Sequence, residues 1–146
     1  RMNKLYDAAL TVETFLIPHA KEAVATLHAA GHRTAVVSNK PGFLTDQIVN
    51  HFGLSPHLHA VQGAEDHLPK KPAPDMLFAA LEKSGGTRES AIMIGDSAID
   101  VAAARNAKMP VILVRGGYTT APVETLGADL VIDHLGHLHD ALQRFK

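Results

Sequence analysis

The sequence predicts an α/β fold, a parallel sheet covered by helices on both faces in three α/β/α layers. Three observations point there. Short apolar runs rich in Val, Ile and Leu alternate along the chain with segments of helical period, the pattern of successive strand–helix units. Glycines stand where those helical segments should stop, at Gly31, Gly53 and the Gly85-Gly86 pair, as helix ends favour. Polar residues gather just after the strand runs, in "VVSNKP", "VQGAED", "MIGDS" and "LVRGG", where open α/β sheets bind ligands.

Taken in order, the strand candidates are Thr34 to Ser38, His59 to Gln62, Ala91 to Gly95, Val111 to Val114 and Asp129 to Ile132. A first helix opens near Pro18, since proline suits a first helical turn, and turns Leu27 to its apolar side before Gly31. A second runs from about Gly42 to Phe52. The third covers Pro74 to Lys83, where Met76, Leu77, Ala80 and Leu81 form one buried stripe. Ala98 to Ala107 and Leu135 to Phe145 complete the set. Residues 1 to 14 read as helix or irregular chain outside any strand–helix unit, the end of a helical cap or a linker, and 15 to 146 as one core domain.

Composition narrows the function classes. A chain of 146 residues fits one domain and can bury roughly 70% of its unfolded surface. The longest apolar run, Met76 to Leu81, is far too short to span a bilayer, and no signal-peptide pattern opens the chain. With no cysteine, disulfides, thiolate metal sites and a Cys nucleophile are excluded; cytoplasm is the default location. The formal net charge of −1, with Lys and Arg scattered, gives no footprint for nucleic acid. A small phosphorylated ligand fits what remains, with no nucleic acid and no membrane as partner.

Four constellations carry chemistry. Asp96 and Asp100 stand four residues apart after an apolar run. With Ser97 as N-cap, Asp100 becomes the third helical residue of a near capping box, which needs no metal. Asp96 is not needed for that cap, and two carboxylates suit Mg²⁺, which keeps several waters and shares its shell with substrate phosphate. Ser38 and Asn39 put a hydroxyl and backbone N–H groups at a strand end, which reads either as an oxyanion cradle or as an ordinary cap. Lys71 lies in the proline-stiffened "LPKKPAPDM", restricted by the proline after it, and is either aimed at the crevice or a solvated surface lysine. The "HLGHLHD" run of His134 to Asp140 lacks any zinc-site spacing.

Strand-Ser-Asn, then Lys-Pro-x-Pro, then strand-Gly-Asp-x-x-x-Asp, in that order, resembles the haloacid dehalogenase (HAD) superfamily. Ser38 matches that family's second motif, Lys71 its third, and Asp96 with Asp100 its fourth. More closely, "SNKP", "KKPAPDML", "GDSAIDV" and the "GGY" of Gly116 to Tyr118 are similar to phosphoglycolate phosphatases, over about residues 15 to 146. The resemblance implies a Rossmann-like core and Mg²⁺-dependent phosphomonoester hydrolysis through an aspartyl-phosphate. Carried onto this chain, Ser38 and the Asn39 backbone hold phosphoryl oxygens, Lys71 neutralises phosphate and nucleophile, and Asp96 ligates Mg²⁺, with Asp100 doing so directly or through water.

The chain departs from the family at its first motif, Asp-x-Asp after an N-terminal central strand: none of the nine aspartates has another two residues away. The expectation is therefore a C-terminal part of a longer phosphatase, inactive alone, with the nucleophile outside these residues and the sheet lacking its first central strand. A missing N-terminal segment, a second chain or a rearranged sheet is expected to fill the gap, because each unpaired backbone group there costs about 1 to 3 kcal/mol. Other readings are a sugar phosphomutase, a phosphonate hydrolase, a dehalogenase, or a non-catalytic binding module on a HAD-like scaffold. A receiver-like regulatory module requires the acids to precede the hydroxyl, the reverse of the order here.

Overall fold

Among the described residues six strands, all parallel, form one sheet in the order β3-β2-β1-β4-β5-β6. The computed structural model describes residues 7–11, 20–51, 53–115, 126–133 and 137–142. The strands are β1 (Asp7–Thr11), β2 (Arg33–Pro41), β3 (Ala60–Ala64), β4 (Ala91–Gly95), β5 (Val111–Val114) and β6 (Leu130–Ile132). Helices α1 (Ala20–Ala29), α2 (Gly42–His51), α3 (Asp75–Ser84), α4 (Ala98–Asn106) and α5 (Leu138–Leu142) connect or follow them.

The residues of a strand point alternately to opposite faces, and in the inner strands both faces are apolar. Val36, Ile92, Ile94, Ile112 and Val114 pack with Val24 and Leu27 of α1 and with Leu138 and Leu142 of α5. Ala35, Val37, Met93, Val111 and Leu113 pack on the other face with Met76, Leu77 and Ala80 of α3 and Val101 and Ala104 of α4. The three-layer α/β/α architecture is the one the sequence predicts.

One expectation is overturned. Residues 7–11, expected to lie outside any strand–helix unit, form the strand between β2 and β4, Ala9 pairing with Ala35 on one side and Met93 on the other. The sheet therefore has its central strand, supplied by a segment of this chain. The physical reason is the cost named above, since a vacant slot would leave the facing N–H and C=O groups of β2 and β4 unpaired. β1 is nonetheless a poor strand by composition, Asp-Ala-Ala-Leu-Thr, where buried parallel strands are ordinarily Val- and Ile-rich.

Other differences are smaller. β2 begins one residue earlier than expected and runs on to Pro41, where it pairs with Ala64 past an irregularity in register. β3 starts at Ala60 and continues to Ala64. α3 ends in the expected way, with Gly85 at φ 77° and the Gly86 N–H bonded to the Leu81 carbonyl. α4 ends without glycine: Lys108 takes the left-handed conformation at φ 59°. Of the last helix only 138–142 lies within the described residues, and the "GGY" of 116–118 lies outside them.

The order of strands fixes where chemistry can happen. The chain starts at β1, works outward to β3, then returns across the centre to β4. β1 is followed in the sheet by β2 on one side and β4 by β5 on the other, so the strand order reverses between β1 and β4, the place where open α/β sheets form a crevice at the carboxyl edge.

Candidate active site

Two strand tips, the first turn of a helix and one loop meet at that crevice. β2 delivers Ser38 and Asn39, β4 delivers Asp96, α4 returns Asp100 in its first turn, and the loop after β3 brings Lys71. Ser38, Lys71, Asp96 and Asp100 are all buried. β2 and β4 flank β1, so their tips are about 10 Å apart by the usual strand spacing. Lys71 bridges that gap: its Nζ lies 3.1 Å from Asp100 Oδ1 and 3.4 Å from the carbonyl oxygen of Val37, the residue before Ser38.

Asp100 is held on both oxygens. Oδ1 faces Lys71, while Oδ2 accepts the Asp96 N–H at 3.0 Å and the Ser97 hydroxyl at 3.2 Å. This revises the capping box. Ser97 sits at the N-cap with extended backbone but its hydroxyl makes no cap bond to the helix; Asp100 instead reaches back past it to the Asp96 amide. A carboxylate in the first turn of a helix is favoured by the helix dipole as well. Gly95 makes the arrangement possible, because a Cβ there would overlap the Asp100 side chain.

The Ser38 hydroxyl accepts the Lys40 N–H at 3.0 Å, which leaves its own proton available to donate. The Asn39 side chain bonds the backbone of Lys71 in both directions, Nδ2 to the carbonyl at 3.1 Å and Oδ1 from the N–H at 2.9 Å. Lys70, by contrast, is exposed.

Not every polar residue of that edge joins the cluster. Glu65 accepts from Gln62 Nε2 at 2.6 Å and lies 3.5 Å from Lys83; the Gln62 bond first, then the Lys83 charge, hold its carboxyl below the usual range. Arg115 pairs with Asp133 at 2.8 Å. Gln62 itself is buried with no partner for its Oε1 among the described residues. The role of the Asn39 side chain was not legible, since it depends on a contact across 32 positions of sequence.

For a metal, the donors available are the carboxylates of Asp96 and Asp100. Among the described residues no three His, Asp or Glu side chains are grouped to hold an ion. Two hard oxygen donors fit Mg²⁺, which fills its shell with water and substrate oxygens, and do not fit a dedicated protein cage. Among the described residues no helix is long and apolar enough to cross a membrane.

The order of motifs and this geometry define a class, and comparison with known proteins gives the same one. The haloacid dehalogenase-like hydrolase family matches residues 1–114, and the chain belongs to it. Within it, the chain is similar to the phosphoglycolate phosphatase of Caulobacter vibrioides, with 41% identity over 132 residues covering 90% of this chain and 56% of that protein. The phosphoglycolate phosphatase of Agrobacterium fabrum is 35% identical over 137 residues, 94% of this chain and 59% of the relative. Among solved structures, a candidate phosphoglycolate phosphatase from Lactobacillus delbrueckii superposes with a TM-score of 0.79 at 30% identity, covering 86% of this chain and 52% of that one. The chain spans a little over half the length of these curated relatives.

Proposed function

We propose that this chain is the phosphate-handling core of a Mg²⁺-dependent phosphomonoesterase for a small phosphorylated metabolite, with phosphoglycolate the substrate its relatives' names suggest. The observation that carries the reading is the buried Lys71 ammonium, 3.1 Å from Asp100 and 3.4 Å from the Val37 carbonyl, beside the Ser38 hydroxyl at a strand-end crevice. A cation so desolvated interacts strongly with phosphate charge.

In this reading Ser38 donates its hydroxyl, and the backbone N–H groups at Asn39 contribute, to phosphoryl oxygens. Lys71 offsets the charge of the phosphoryl group and the attacking carboxylate. Asp96 and Asp100 would hold Mg²⁺, the oxygens of Asp100 already accepting from Lys71, Asp96 and Ser97. The ion, when bound, polarises the phosphoryl oxygens and steadies developing charge. A carboxylate oxygen attacks phosphorus, the alcohol leaves with a proton, and water then releases phosphate and restores the carboxylate.

The attacking acid is proposed to lie outside these 146 residues. β1 ends at Thr11, paired with Val37, and the sequence goes on as Val12-Glu13-Thr14 with no Asp-x-Asp.

The test compares a protein extended by the half that the relatives possess with the 146-residue chain. Mg²⁺-dependent release of phosphate from phosphoglycolate by the former alone is expected. Turnover by the 146-residue chain would sink the reading. Titration of Mg²⁺ into the chain and its Asp96→Asn variant checks the ion separately, and equal affinity would remove Asp96 as a ligand.

A further inference from the structure

We infer that the Asn39 side chain is a positioning residue for Lys71, acting on the backbone of the lysine and not on the phosphate. The inference rests on the proposed reading of Lys71 as the phosphate-neutralising cation. Asn39 Nδ2 donates to the Lys71 carbonyl at 3.1 Å, and the Lys71 N–H donates to Asn39 Oδ1 at 2.9 Å, across 32 positions of sequence. A carboxamide offers one acceptor and two donors in a plane, so it meets the N–H and C=O of a single residue as a neighbouring strand would. Both polar atoms of Asn39 are thereby committed to one residue.

The surroundings say why such a tether is needed. Lys71 lies in a loop with no strand or helix hydrogen bonds to fix it, between Pro69 and Pro72, and a proline brings no N–H with which to anchor the chain. The Lys71 side chain has many rotamers, and restricting them costs conformational entropy. Tying the lysine's own peptide to the tip of β2 sets the origin from which Nζ reaches Asp100 and the Val37 carbonyl. A second tether, Asn106 Nδ2 to the Pro72 carbonyl at 2.9 Å, holds the same loop from the far end of α4 without touching Lys71 and serves as the control.

The experiment titrates inorganic phosphate with Mg²⁺ into the 146-residue chain and its Asn39→Ala, Lys71→Met, double and Asn106→Ala variants. Asn39→Ala should weaken phosphate binding on the order of tenfold, the share of one charge-assisted contact. The double variant should bind no worse than Lys71→Met, because the asparagine works through the lysine. Additive losses, or no loss in Asn39→Ala, would overturn the inference, as would an equal loss in Asn106→Ala.

The ¹H–¹⁵N signal of the Lys71 ammonium gives an independent reading that needs neither phosphate nor the Lys71→Met fold. It should be sharp in the parent chain, weakened in Asn39→Asp, which keeps only the acceptor, and lost in Asn39→Ala, while the Asp96 amide signal stays. An unchanged ammonium signal in Asn39→Ala overturns the inference. If the parent chain shows the signal but binds no phosphate, the phosphatase reading of the site fails while the positioning of Lys71 is still decided by the variants.

Discussion

Helix α4 carries an acid–base pair at each end. In its first turn Asp100 meets Lys71 at 3.1 Å with side-chain exposures of 3% and 4%; near its last turn Arg105 meets Asp129 at 2.9 Å with exposures of 44% and 37%. The distances match and the energetics do not. At the exposed end, Arg105 also bonds the Gly127 carbonyl at 2.7 Å, and Asp129 accepts the Val111 N–H at 2.8 Å, so the pair staples α4 to β5 and to the segment before β6. Water screens it, and such pairs contribute about 0.2 to 1 kcal/mol. At the buried end two charges have left water, which their attraction offsets only while both are present. A scaffold gains little from that arrangement compared with apolar packing, whereas a site for an anion gains a cation whose field is not diluted by solvent.

Breaking the buried pair should have the largest effect. Lys71→Met strands Asp100 in the interior and is expected to lower unfolding free energy by about 3 to 5 kcal/mol in urea denaturation at neutral pH; a loss below 1 kcal/mol would mean that water reaches Asp100. Next comes Gly95→Ala, whose methyl group takes the space of the Asp100 side chain. It should cost about 1 to 3 kcal/mol and weaken phosphate binding in the same variant, with unchanged binding arguing against Asp100 as the partner that holds Lys71.

Asp129→Asn probes the exposed end and should cost less than about 1 kcal/mol at pH 7. Burial raises the Asp129 pKa, but the Arg105 hydrogen bond, the Val111 N–H and the Arg105 charge outweigh it and leave the carboxyl below its ordinary value. Its contribution is therefore complete above the unfolded value and disappears as pH falls through the lower folded one. Melting curves of parent and variant should converge over that acidic window; a gap that widens on acidification would contradict the assigned direction. The smallest change is a gain. Lys108→Gly relieves a non-glycine residue at φ 59° and should stabilise by about 0.5 to 1 kcal/mol, read as a rise in melting temperature.

What the sequence made legible follows from how local each signal is. Ala91–Gly95 and Val111–Val114 have the bounds the sequence predicts, because a strand buried on both faces is apolar throughout and polar where it stops. The far end of β2 was not legible: Asn39, Lys40 and Pro41 carry no strand preference, and Pro41 joins the sheet through its pairing with Ala64. β1 was missed for a stronger version of the same reason, since nothing in Asp-Ala-Ala-Leu-Thr signals a strand and the demand for it comes from β2 and β4. In the site, Ser38, Lys71, Asp96 and Asp100 could be picked out by residue type and order. The bond from Asp100 to Lys71 spans 29 positions and the Asn39 clamp 32, so neither leaves a local trace.

The alanine-rich strand at the middle of the sheet has a mechanical consequence. β1 is held by backbone pairing along both of its edges, to β2 on one side and β4 on the other, which makes it the seam between the two halves of the sheet. Parting along that seam would bare two long rows of backbone donors and acceptors facing each other, a template that any extended segment of the right length and direction could re-enter.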